Sequence, residues 1–398
     1  DFNYDPVRIY RDKNRYTDFI ETNASYSKED GGLFSYSNGH HIYAADDGII
    51  EGGDSTLYGA YWELWVDKKE VTGLSYDLLL GLVVPRNILY LPSPRDKNKV
   101  YMINQFNNFN PIRNKSSSNS LHYSLIDTKA NQGKGLVLDK DVKILDTILS
   151  YGYVQATKHG NGRDWWITVL GYKLTKIYSI LLDPDGFHLI HQDTFDIGWT
   201  GETISGSPFG WSGNSWGQSV FNQDGNKYAM LLRVPYSEPN PFHIIVMDFD
   251  RCTGKFSKIT RAELTQGAQD VYYMGMALSP SGQYLYTGNG VSMYQFDLTK
   301  PNLQVSMRFL ARYDGYLSVF DRTTEFYRWL LAPDGRLYGT VQSGSCSHMH
   351  MINFPDERVN ESQLVQHAIK LPTSCANGMP NFVNYHLGPL DGSPCDTL

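Results

Sequence analysis

One phrase recurs along this chain and limits its fold more than any other feature: a turn containing glycine, placed between short runs of alternating apolar residues. The clearest copy runs from Ala277 to Leu298, where turns at Pro280-Ser281-Gly282 and Gly288-Asn289-Gly290 separate strand-like runs. Apolar residues at every second position, bounded by turn residues, are typical of short antiparallel strands. We therefore expect a chain built mainly from β-hairpins.

The copies of this phrase follow one another at long, fairly even intervals. Aligned on the first turn, their landmarks are Gly39, Asn98, Gly162, Gly225, Gly282 and Gly335. Subtraction gives successive gaps of 59, 64, 63, 57 and 53 residues. Sheet units that repeat about every 40–50 residues are typical of β-propellers, and inflated loops lengthen the interval. The pattern predicts an all-β propeller of four-stranded antiparallel blades, and a pair of β-sandwiches is the alternative.

Blade number and domain limits follow less directly from the repeat. Six copies are visible, and a seventh blade could come from Leu303 to Phe320 or from the two termini together, so seven blades are favoured, with six or eight open. Residues 1–30 are expected to form an N-terminal segment that could add a ring-closing strand, and residues 31–398 a single propeller domain. The Asn/Ser-rich stretch 105–120 is predicted to be a long loop. Residues 139–149 fit a helix or a strand equally well.

Charge and hydropathy exclude two classes of partner. The net charge is −7, and no block of Lys or Arg is available to neutralise phosphates, so we expect no nucleic-acid partner. No apolar run approaches the roughly 20 residues needed to cross a bilayer, so the chain is not expected to span a membrane. It opens at Asp1 without Met, as a processed, exported protein would.

Four cysteines are present, at positions Cys252, Cys346, Cys375 and Cys395. No two of them lie two to four residues apart, so their spacing fits no zinc motif. Their even number predicts two disulfides in an exported protein, with buried thiols as the alternative. Sequence allows three pairings, and we favour Cys346–Cys375. Neither a metal ion nor a cofactor is expected.

A polar hairpin phrase is the first candidate binding site. Asn161, Arg163 and Asp164 surround an Asn-Gly turn and could bind a ligand at a propeller mouth. The alternative is a hairpin turn stabilised by an Arg163–Asp164 network.

Aromatic residues supply the second candidate. Trp199, Trp211 and Trp216 lie in a stretch rich in Gly and Ser, together with Phe209. Aromatic faces contact sugar C–H groups well, so these rings could form a stacking platform for a glycan. The alternative is that they fill gaps between blades.

Two histidines supply a third. His348 and His350 are two apart on a predicted strand and so face the same side, together with Cys346. They could ligate a metal, but no further ligand is identifiable. Packing in the core is the alternative, and it is the one we favour.

Several of these phrases are recognisable when read together: VVPRNILYLPSP, LHYSLID, TKHGNGRDWWITV, FNQDGNKYAM, LSPSGQYLYTGNGVSMYQFDL and LAPDGRLYGTV. In this order they resemble the WD40-like β-propeller domain of large secreted proteins of the Bacteroidota. The tail GMPNFVNYHLGPLDGSPCDTL is similar to that domain's end, and the resemblance extends from about residue 30 to 398. It implies an extracellular or cell-surface protein exported by the type IX secretion route. It carries no known active site.

The same resemblance implies possible O-glycosylation. The acceptor signal of that phylum, Asp followed by Ser or Thr and then an apolar residue or Thr, fits Ser55, Thr147 and Thr397.

Together these features predict a secreted or cell-surface propeller that acts as a binding or structural module for protein or glycan partners. Self-assembly into a homo-oligomer or filament is open, and catalysis is not expected. The alternative is a propeller-type enzyme acting on extracellular polysaccharide, with acids such as Asp164, Glu202 or Asp270. Such an enzyme needs two carboxylates about 5 to 9.5 Å apart.

Overall fold

The computed structural model of the chain describes residues 7–9, 19, 21–56, 81, 84, 86–110, 115–172, 174–195, 217–233, 242–264, 274–375 and 377–396. Within them the strands form six antiparallel sheets, five with four strands and one with three. The protein is an all-β, six-bladed β-propeller, and five of its six blades have four strands among the described residues. The predicted fold class is confirmed, but the preference for seven blades was wrong, and six is the number found.

Contacts divide the chain into two compact units with three sheets each. The first combines residues 14–214, 250–255 and 380–398, and the second combines residues 1–13, 215–249 and 256–379. We call them the unit of blades 1–3 and the unit of blades 4–6. A ring-closing role for residues 1–30 stays a prediction.

In the unit of blades 1–3, each blade is a meander of consecutive strands. Blade 1 contains β1 (Ala24–Ser27), β2 (Leu33–Ser37) and β3 (Ile42–Ala44); blade 2 contains β4 (Ile88–Pro92), β5 (Lys99–Asn110), β6 (Lys115–Asp127) and β7 (Leu136–Leu149); blade 3 contains β8 (Gln155–Lys158), β9 (Trp165–Leu170), β10 (Lys176–Asp183) and β11 (Gly186–Thr194). A one-turn helix, α1 (Ala130–Gly133), joins β6 to β7.

The unit of blades 4–6 repeats this order. Blade 4 contains β12 (Gln218–Phe221), β13 (Lys227–Arg233), β14 (Phe242–Phe249) and β15 (Phe256–Leu264); blade 5 contains β16 (Met276–Leu278), β17 (Tyr284–Gly288), β18 (Ser292–Asp297) and β19 (Arg308–Arg312); blade 6 contains β20 (Phe326–Leu331), β21 (Leu337–Val341), β22 (Cys346–Ile352) and β23 (Leu364–Cys375). Helix α2 (Leu303–Ser306) precedes β19, and a 3₁₀ turn spans Val319–Asp321.

The recurring sequence phrase is a recurring turn between the first and second strands of a blade. At Gly162, Gly225, Gly282 and Gly335 the backbone N–H donates to the carbonyl three residues earlier, at 2.9–3.0 Å. Their φ values of +67° to +79° favour glycine. At Gly162 a Cβ would also lie 2.7 Å from the backbone nitrogen of Pro389. Asn98 marks the same turn in blade 2, whereas Gly39 lies between the second and third strands.

The predicted loop 105–120 was wrong for residues 105–110 and 115–120, and residues 111–114 lie outside the described residues. β5 and β6 form one long hairpin that pairs from Lys99 opposite Asp127 to Asn110 opposite Lys115. Asn and Ser have low strand propensity, but strand propensity depends strongly on context. Continued pairing satisfies the backbone N–H and C=O groups of the paired residues, and it extends both strands into the polar sequence.

The segment proposed to begin a seventh blade completes blade 5 instead. Leu303–Ser306 is helix α2, and Arg308–Arg312 is β19, which pairs antiparallel with β18. Residues 313–325 then connect blade 5 to blade 6. The ambiguous stretch 139–149 belongs to strand β7.

The fourth strand of each four-stranded blade pairs irregularly with the third. Register shifts interrupt the pairs β6–β7, β10–β11, β14–β15, β18–β19 and β22–β23. Asp141, Lys258 and His367, which lie on such edge strands, have positive φ. Bulges of this kind break the row of backbone groups that another strand would pair with. These edges are therefore poor templates for the addition of another strand.

Large apolar side chains fill the core of each unit. Leu231, Tyr286 and Trp329 pack in the unit of blades 4–6, and Leu121 and Trp165 in the unit of blades 1–3. Burying one such side chain stabilises a fold by about 1.5–3 kcal/mol. No helix in the part of the chain that the structure describes is long and apolar enough to cross a membrane.

Candidate functional site

Several predicted site residues lie outside the described residues. These are Trp199, Trp211, Trp216, Thr397, Phe209, Glu202 and Asp270. The tryptophan platform stays a prediction. Of the other glycosylation candidates, Ser55 is half-buried and its N–H donates to His41 Nδ1 at 2.9 Å. Thr147 is also half-buried, with its hydroxyl 3.4 Å from that of Tyr178.

Asn161, Arg163 and Asp164 form a network that closes on itself. Asn161 Oδ1 accepts from the backbone N–H groups of Arg163 and Asp164, both at 3.0 Å, and Asn161 Nδ2 donates to Asp164 Oδ2 at 2.7 Å. Arg163 holds the same carboxylate through Nε and Nη2, at 2.7 and 3.1 Å. The hydrogen bond to Asp164 raises the pKa of Arg163. These groups are occupied by one another, and ligand binding by them stays a prediction.

The residues around this turn also form contacts that hold it in place. Lys158 Nζ donates to Arg163 O at 3.2 Å and lies 4.0 Å from the Trp165 ring centroid. Burial lowers the pKa of Lys158 to about 8. Arg251 donates to the carbonyls of Lys158 and Gly388, which ties the turn to the chain's last described segment.

One disulfide, Cys252–Cys395, lies beside the same turn. A Cβ at Gly160 would come 2.2 Å from Cys395 Sγ and 3.0 Å from Cys252 Sγ, so only glycine fits there. One of the two predicted disulfides is thus present, and it joins the two cysteines that remain when Cys346 and Cys375 pair as favoured. Cys346 and Cys375 are thiols in the structure.

A second polar group lies in the unit of blades 4–6, where connection 313–325 meets β22 and β23. We call it the histidine–tyrosine cluster; its members are Asp314, Tyr316, Ser318, His348 and His367. The Tyr316 ring stacks on His367 with centroids 4.1 Å apart and 27° between the planes. It meets His348 edge-on at 5.2 Å. The exposed fraction of Tyr316 is 39%, so the stack leaves an aromatic surface in contact with solvent.

Hydroxyl and carboxylate groups hold the two histidines in place. Ser318 Oγ lies 2.8 Å from His348 Nδ1, and the Tyr316 hydroxyl lies 3.4 Å from His348 Nε2. His367 Nε2 lies 2.9 Å from Asp314 Oδ2. Burial lowers the pKa of His348. Burial would raise the pKa of Asp314, but hydrogen bonds from the Tyr316 N–H and from His367 outweigh it and hold that pKa below its usual value.

His350 lies beneath the cluster in the core. It is fully buried, packs against Phe326 and Trp329 with ring centroids 4.8 and 6.2 Å away, and accepts the His367 backbone N–H at 3.1 Å. Burial lowers the pKa of His350 to about 4, so its ring is neutral at pH 7. Among the residues placed by the structure, no group of three His, Cys, Asp or Glu is arranged to hold a metal ion.

Next to the cluster, connection 313–325 presents what we call the apolar tip. Its members are Tyr316, Leu317, Val319 and Phe320, exposed by 39, 48, 40 and 82%. A bridge between Leu317 and Thr323 closes the tip, and the Tyr316 carbonyl accepts from the Tyr313 and Thr324 hydroxyls. The bridge and these hydrogen bonds therefore fix the backbone conformation where the tip joins the rest of the connection.

Backbone strain is concentrated at the same place. Phe320 has φ +57° and Asp321 φ +53°, the left-handed region that such residues rarely adopt. This conformation costs about 1–2 kcal/mol per residue. The surrounding hydrogen bonds hold a bulky ring in a strained, solvent-facing position, and strained residues cluster at functional sites.

The arrangement fits binding better than nucleophilic catalysis. Ser318 and His348 resemble a serine–histidine pair, but the carboxylate of Asp314 bonds His367 and not His348. No described group completes a triad on His348. Rigid aromatic and apolar groups beside a few polar ones are typical of a recognition surface.

Sequence reasoning singled out His348 and missed the other members of this cluster. They come from the blade connection and from β23, and only the fold brings them together. The run Tyr-Leu-Ser-Val-Phe at 316–320, after an Asp-Gly turn, was a usable signal. It lies at the end of the weakly patterned segment from Leu303 to Phe320, which was considered as the source of a seventh blade.

A cavity of about 560 Å³ lies on the other face of blade 6. It is lined by Val7, Ile9, Arg336, Met351, Phe354 and Ile369, among others. Met351 alternates with His348 and His350 along β22, so the cavity and the cluster lie on opposite faces of that strand.

Comparisons with known proteins give no family. No protein-family model matches the sequence, and no curated protein matches it. A prolyl endopeptidase structure is 12% identical over 93% of this chain and 44% of its own, with a TM-score of 0.41. A β-propeller domain from Vanderwaltozyma polyspora is 8% identical over 82% and 94%, with a TM-score of 0.36. An exo-β-1,3-galactanase from Phanerochaete chrysosporium is 6% identical over 70% and 65%, with a TM-score of 0.34. At these scores none of the three carries an argument about function.

Proposed function

We propose that this chain is a secreted or cell-surface binding module that contacts a protein or glycan partner through the apolar tip and the histidine–tyrosine cluster. The observation that carries the proposal is the exposure of four neighbouring apolar side chains on a connection fixed by its own hydrogen bonds. Soluble proteins rarely keep such a patch in solvent unless a partner covers it.

The cluster adds the polar groups that a binding site needs for specificity. Tyr316 is held by its stack on His367, so little side-chain freedom is lost when a partner contacts it. Asp314 and His367 lie at its side and can form hydrogen bonds to hydroxyl or amide groups. Tyrosine with this kind of support is enriched among the residues that dominate interface energies.

Export to an oxidising compartment is the second part of the proposal. The Cys252–Cys395 disulfide supports it, because disulfides persist in extracellular proteins and are rare in reducing compartments. The resemblance to WD40-like propellers of type IX-secreted proteins gives the same expectation. Cell fractionation of the producing organism, with the protein traced by antibody, tests it; recovery in the cytoplasm alone would overturn it.

Other exposed apolar side chains are compatible with self-assembly of this chain. Edge strands also present single apolar side chains to solvent, among them Leu138, Leu189, Ile259, Phe309 and Val365. Their bulges disfavour strand addition, so any homo-oligomer or filament should form through side-chain contacts. Size-exclusion chromatography with light scattering over a concentration series separates a monomer from an assembly.

The binding proposal itself is tested by screening the purified protein on a glycan array and on an array of cell-surface proteins. We expect a specific signal on one of the two, or self-association. A monomer that binds nothing on either array would contradict the proposal.

An enzyme acting on polysaccharide is the second candidate function. One observation favours it, namely two carboxyl groups near Tyr313 whose pKa values are shifted in opposite directions. Burial raises the pKa of Glu325, whereas the pKa of Asp314 is lowered, and both carboxylates act electrostatically on Tyr313. Glycosidases pair a carboxyl of raised pKa with one that stays ionised. Release of reducing sugar by the wild type but not by Glu325→Gln would favour this function, and no release by the wild type would remove it.

A further inference from the structure

The two thiols of blade 6 face each other across a strand pair. In the register of β22 and β23, Cys346 lies directly opposite Cys375. Opposed residues of antiparallel strands have Cα atoms about 4.5–5.5 Å apart and side chains on one face. Disulfides form at Cα separations of about 4.4–6.8 Å. The backbone therefore already has the geometry that a bond between these two residues needs.

The ladder between the two strands is interrupted next to this pair. The neighbouring pair is His348 opposite Lys370, so one residue separates the two pairs on β22 and four separate them on β23. One of those four is Pro372, which has no N–H to donate. Backbone hydrogen bonds thus hold the end of β23 weakly, and a covalent link there would replace them.

The burial of the two cysteines and the electrostatic effect of one thiol on the pKa of the other agree with a short distance between the two sulfur atoms. Cys346 is fully buried, Cys375 is half-buried, and both are in the reduced state. Burial raises the pKa of Cys375 to about 11, and the neighbouring Cys346 thiol acts in the same direction. A thiol with such a pKa is almost wholly protonated at neutral pH, so the pair reacts slowly and can persist reduced.

We propose that Cys346 and Cys375 form a second disulfide when the protein is oxidised, and that this bond clamps the end of β23 to β22 beside the histidine–tyrosine cluster. Cys346 Sγ lies 3.8 Å from the carbonyl oxygen of His348, a cluster member. The clamp therefore fixes the strand that carries His348 and restrains the strand that carries His367.

The reaction is thiol–disulfide exchange with a disulfide oxidant such as oxidised glutathione. One cysteine thiolate attacks the oxidant, which forms a mixed disulfide and releases one reduced thiolate. The other cysteine thiolate then attacks the protein sulfur of that mixed disulfide and releases the second reduced thiolate. Two electrons pass to the oxidant, and the two protons of the cysteine thiols end on the released thiols or in solvent.

Peptide mapping of the folded protein tests the bond. The wild type is reduced, refolded, equilibrated with a mixture of oxidised and reduced glutathione, quenched with acid, alkylated under denaturing conditions and digested. We expect a peptide that links Cys346 to Cys375, beside the Cys252–Cys395 peptide, and loss of alkylation at all four cysteines. Alkylation of both Cys346 and Cys375 while Cys252–Cys395 is formed would overturn the proposal, and so would a link from either to Cys252 or Cys395.

Two single variants keep the test independent of folding. Cys346→Ser and Cys375→Ser should each leave one alkylated cysteine and an intact Cys252–Cys395 bond. In the oxidised wild type, trypsin should cleave after Lys370, an exposed residue of β23, at least tenfold more slowly than in either variant. Equal cleavage rates in a wild type that carries the bond would contradict the clamping part of the proposal.

Discussion

Two polar clusters of this molecule differ in how much of their surroundings stays exposed to solvent. In the turn of blade 3, Asn161, Arg163 and Asp164 bind one another, and the exposed fraction of the Asp164 side chain is only 7%. In the histidine–tyrosine cluster the polar groups also pair, but Tyr316 and Phe320 beside them remain in solvent. The first arrangement maintains a fold, whereas the second leaves surface for a partner. A polar motif therefore indicates a binding site only when some of its side chains stay exposed and able to contact a ligand.

The largest expected effect is on the stability of the blade 3 turn. Asp164→Ala removes a buried carboxylate and leaves the Asn161 amide and the Arg163 guanidinium without their acceptor, which should cost about 3 kcal/mol of unfolding free energy. Denaturant unfolding followed by tryptophan fluorescence measures it. Partner binding by the folded variant should be unchanged. A variant that is as stable as the wild type but loses its partner would mean that the turn is the binding site.

The next effect is the pH dependence that the core beneath the cluster imposes. The pKa of His350 is about 4 in the folded protein and about 6.5 when unfolded, so between these values the unfolded state binds more protons. Above about pH 6.5 the His350 ring is neutral in both states, so its titration does not change the free energy of unfolding. As the pH falls from about 6.5 toward 4, protonation in the unfolded state lowers that free energy progressively. His350→Asn should reduce the loss of unfolding free energy between pH 7 and pH 4 by about 3 kcal/mol.

The matched control for that variant is His386→Asn, at an exposed position in the tail. It should leave the pH profile of stability unchanged. Some dependence will remain in His350→Asn, because burial also lowers the pKa of His40 to about 4. A profile in His350→Asn that is identical to that of the wild type would show that His350 does not titrate as described.

A smaller effect separates the ring of Tyr316 from its hydroxyl group. Tyr316→Ala removes the ring stacked on His367 and should weaken partner binding by roughly tenfold, since aromatic anchors dominate such surfaces. Tyr316→Phe keeps the ring and loses only the long contact with His348, so its affinity should stay within about twofold of the wild type. Calorimetry with the partner found on the arrays measures both. Equal loss in the two variants would assign the effect to the hydroxyl group.

A separate effect, on a rate and not on stability or affinity, concerns the formation of the Cys346–Cys375 bond. Each cysteine must act once as the attacking thiolate, so the Cys375 thiolate is needed whichever residue reacts first. With a pKa of about 11, its thiolate fraction rises roughly tenfold for each pH unit between 7 and 9. Acid-quenched time courses with excess oxidised glutathione should show closure accelerating by at least that factor. A rate independent of pH would contradict the described environment of Cys375.

The sequence predicted features that depend on local chemistry. Gly162 and Gly282 mark turns because their φ values require glycine, and that requirement is visible in the chain itself. The Arg163–Asp164 network was anticipated for the same reason, since its members are adjacent. The preference for seven blades was wrong because the weakly patterned segment from Leu303 to Phe320 could have supplied another blade, and only the pairing of β19 with β18 shows that β19 completes blade 5.

Features that depend on tertiary contacts could not be read in this way. The polar stretch 105–120 was predicted as a loop because its composition disfavours strands, yet residues 105–110 of β5 pair with residues 115–120 of β6 along this stretch. Asp314, Tyr316 and His367 are separated by up to 53 residues in sequence, and no spacing rule brings them together. Phe320 is informative only because it is exposed, and exposure is a property of the fold.

One measurement tests the proposed binding surface most directly: the partner affinity of Phe320→Asn beside that of Phe309→Thr. Asn tolerates the left-handed backbone at position 320, so the first variant removes the ring and keeps the tip. Phe309 is 57% exposed on edge strand β19, outside the apolar tip, and Thr preserves strand propensity there. We expect Phe320→Asn to bind at least tenfold more weakly than the wild type, and Phe309→Thr to bind equally well. Unchanged affinity in Phe320→Asn, at unchanged thermal stability, would contradict the assignment of the apolar tip as the binding surface.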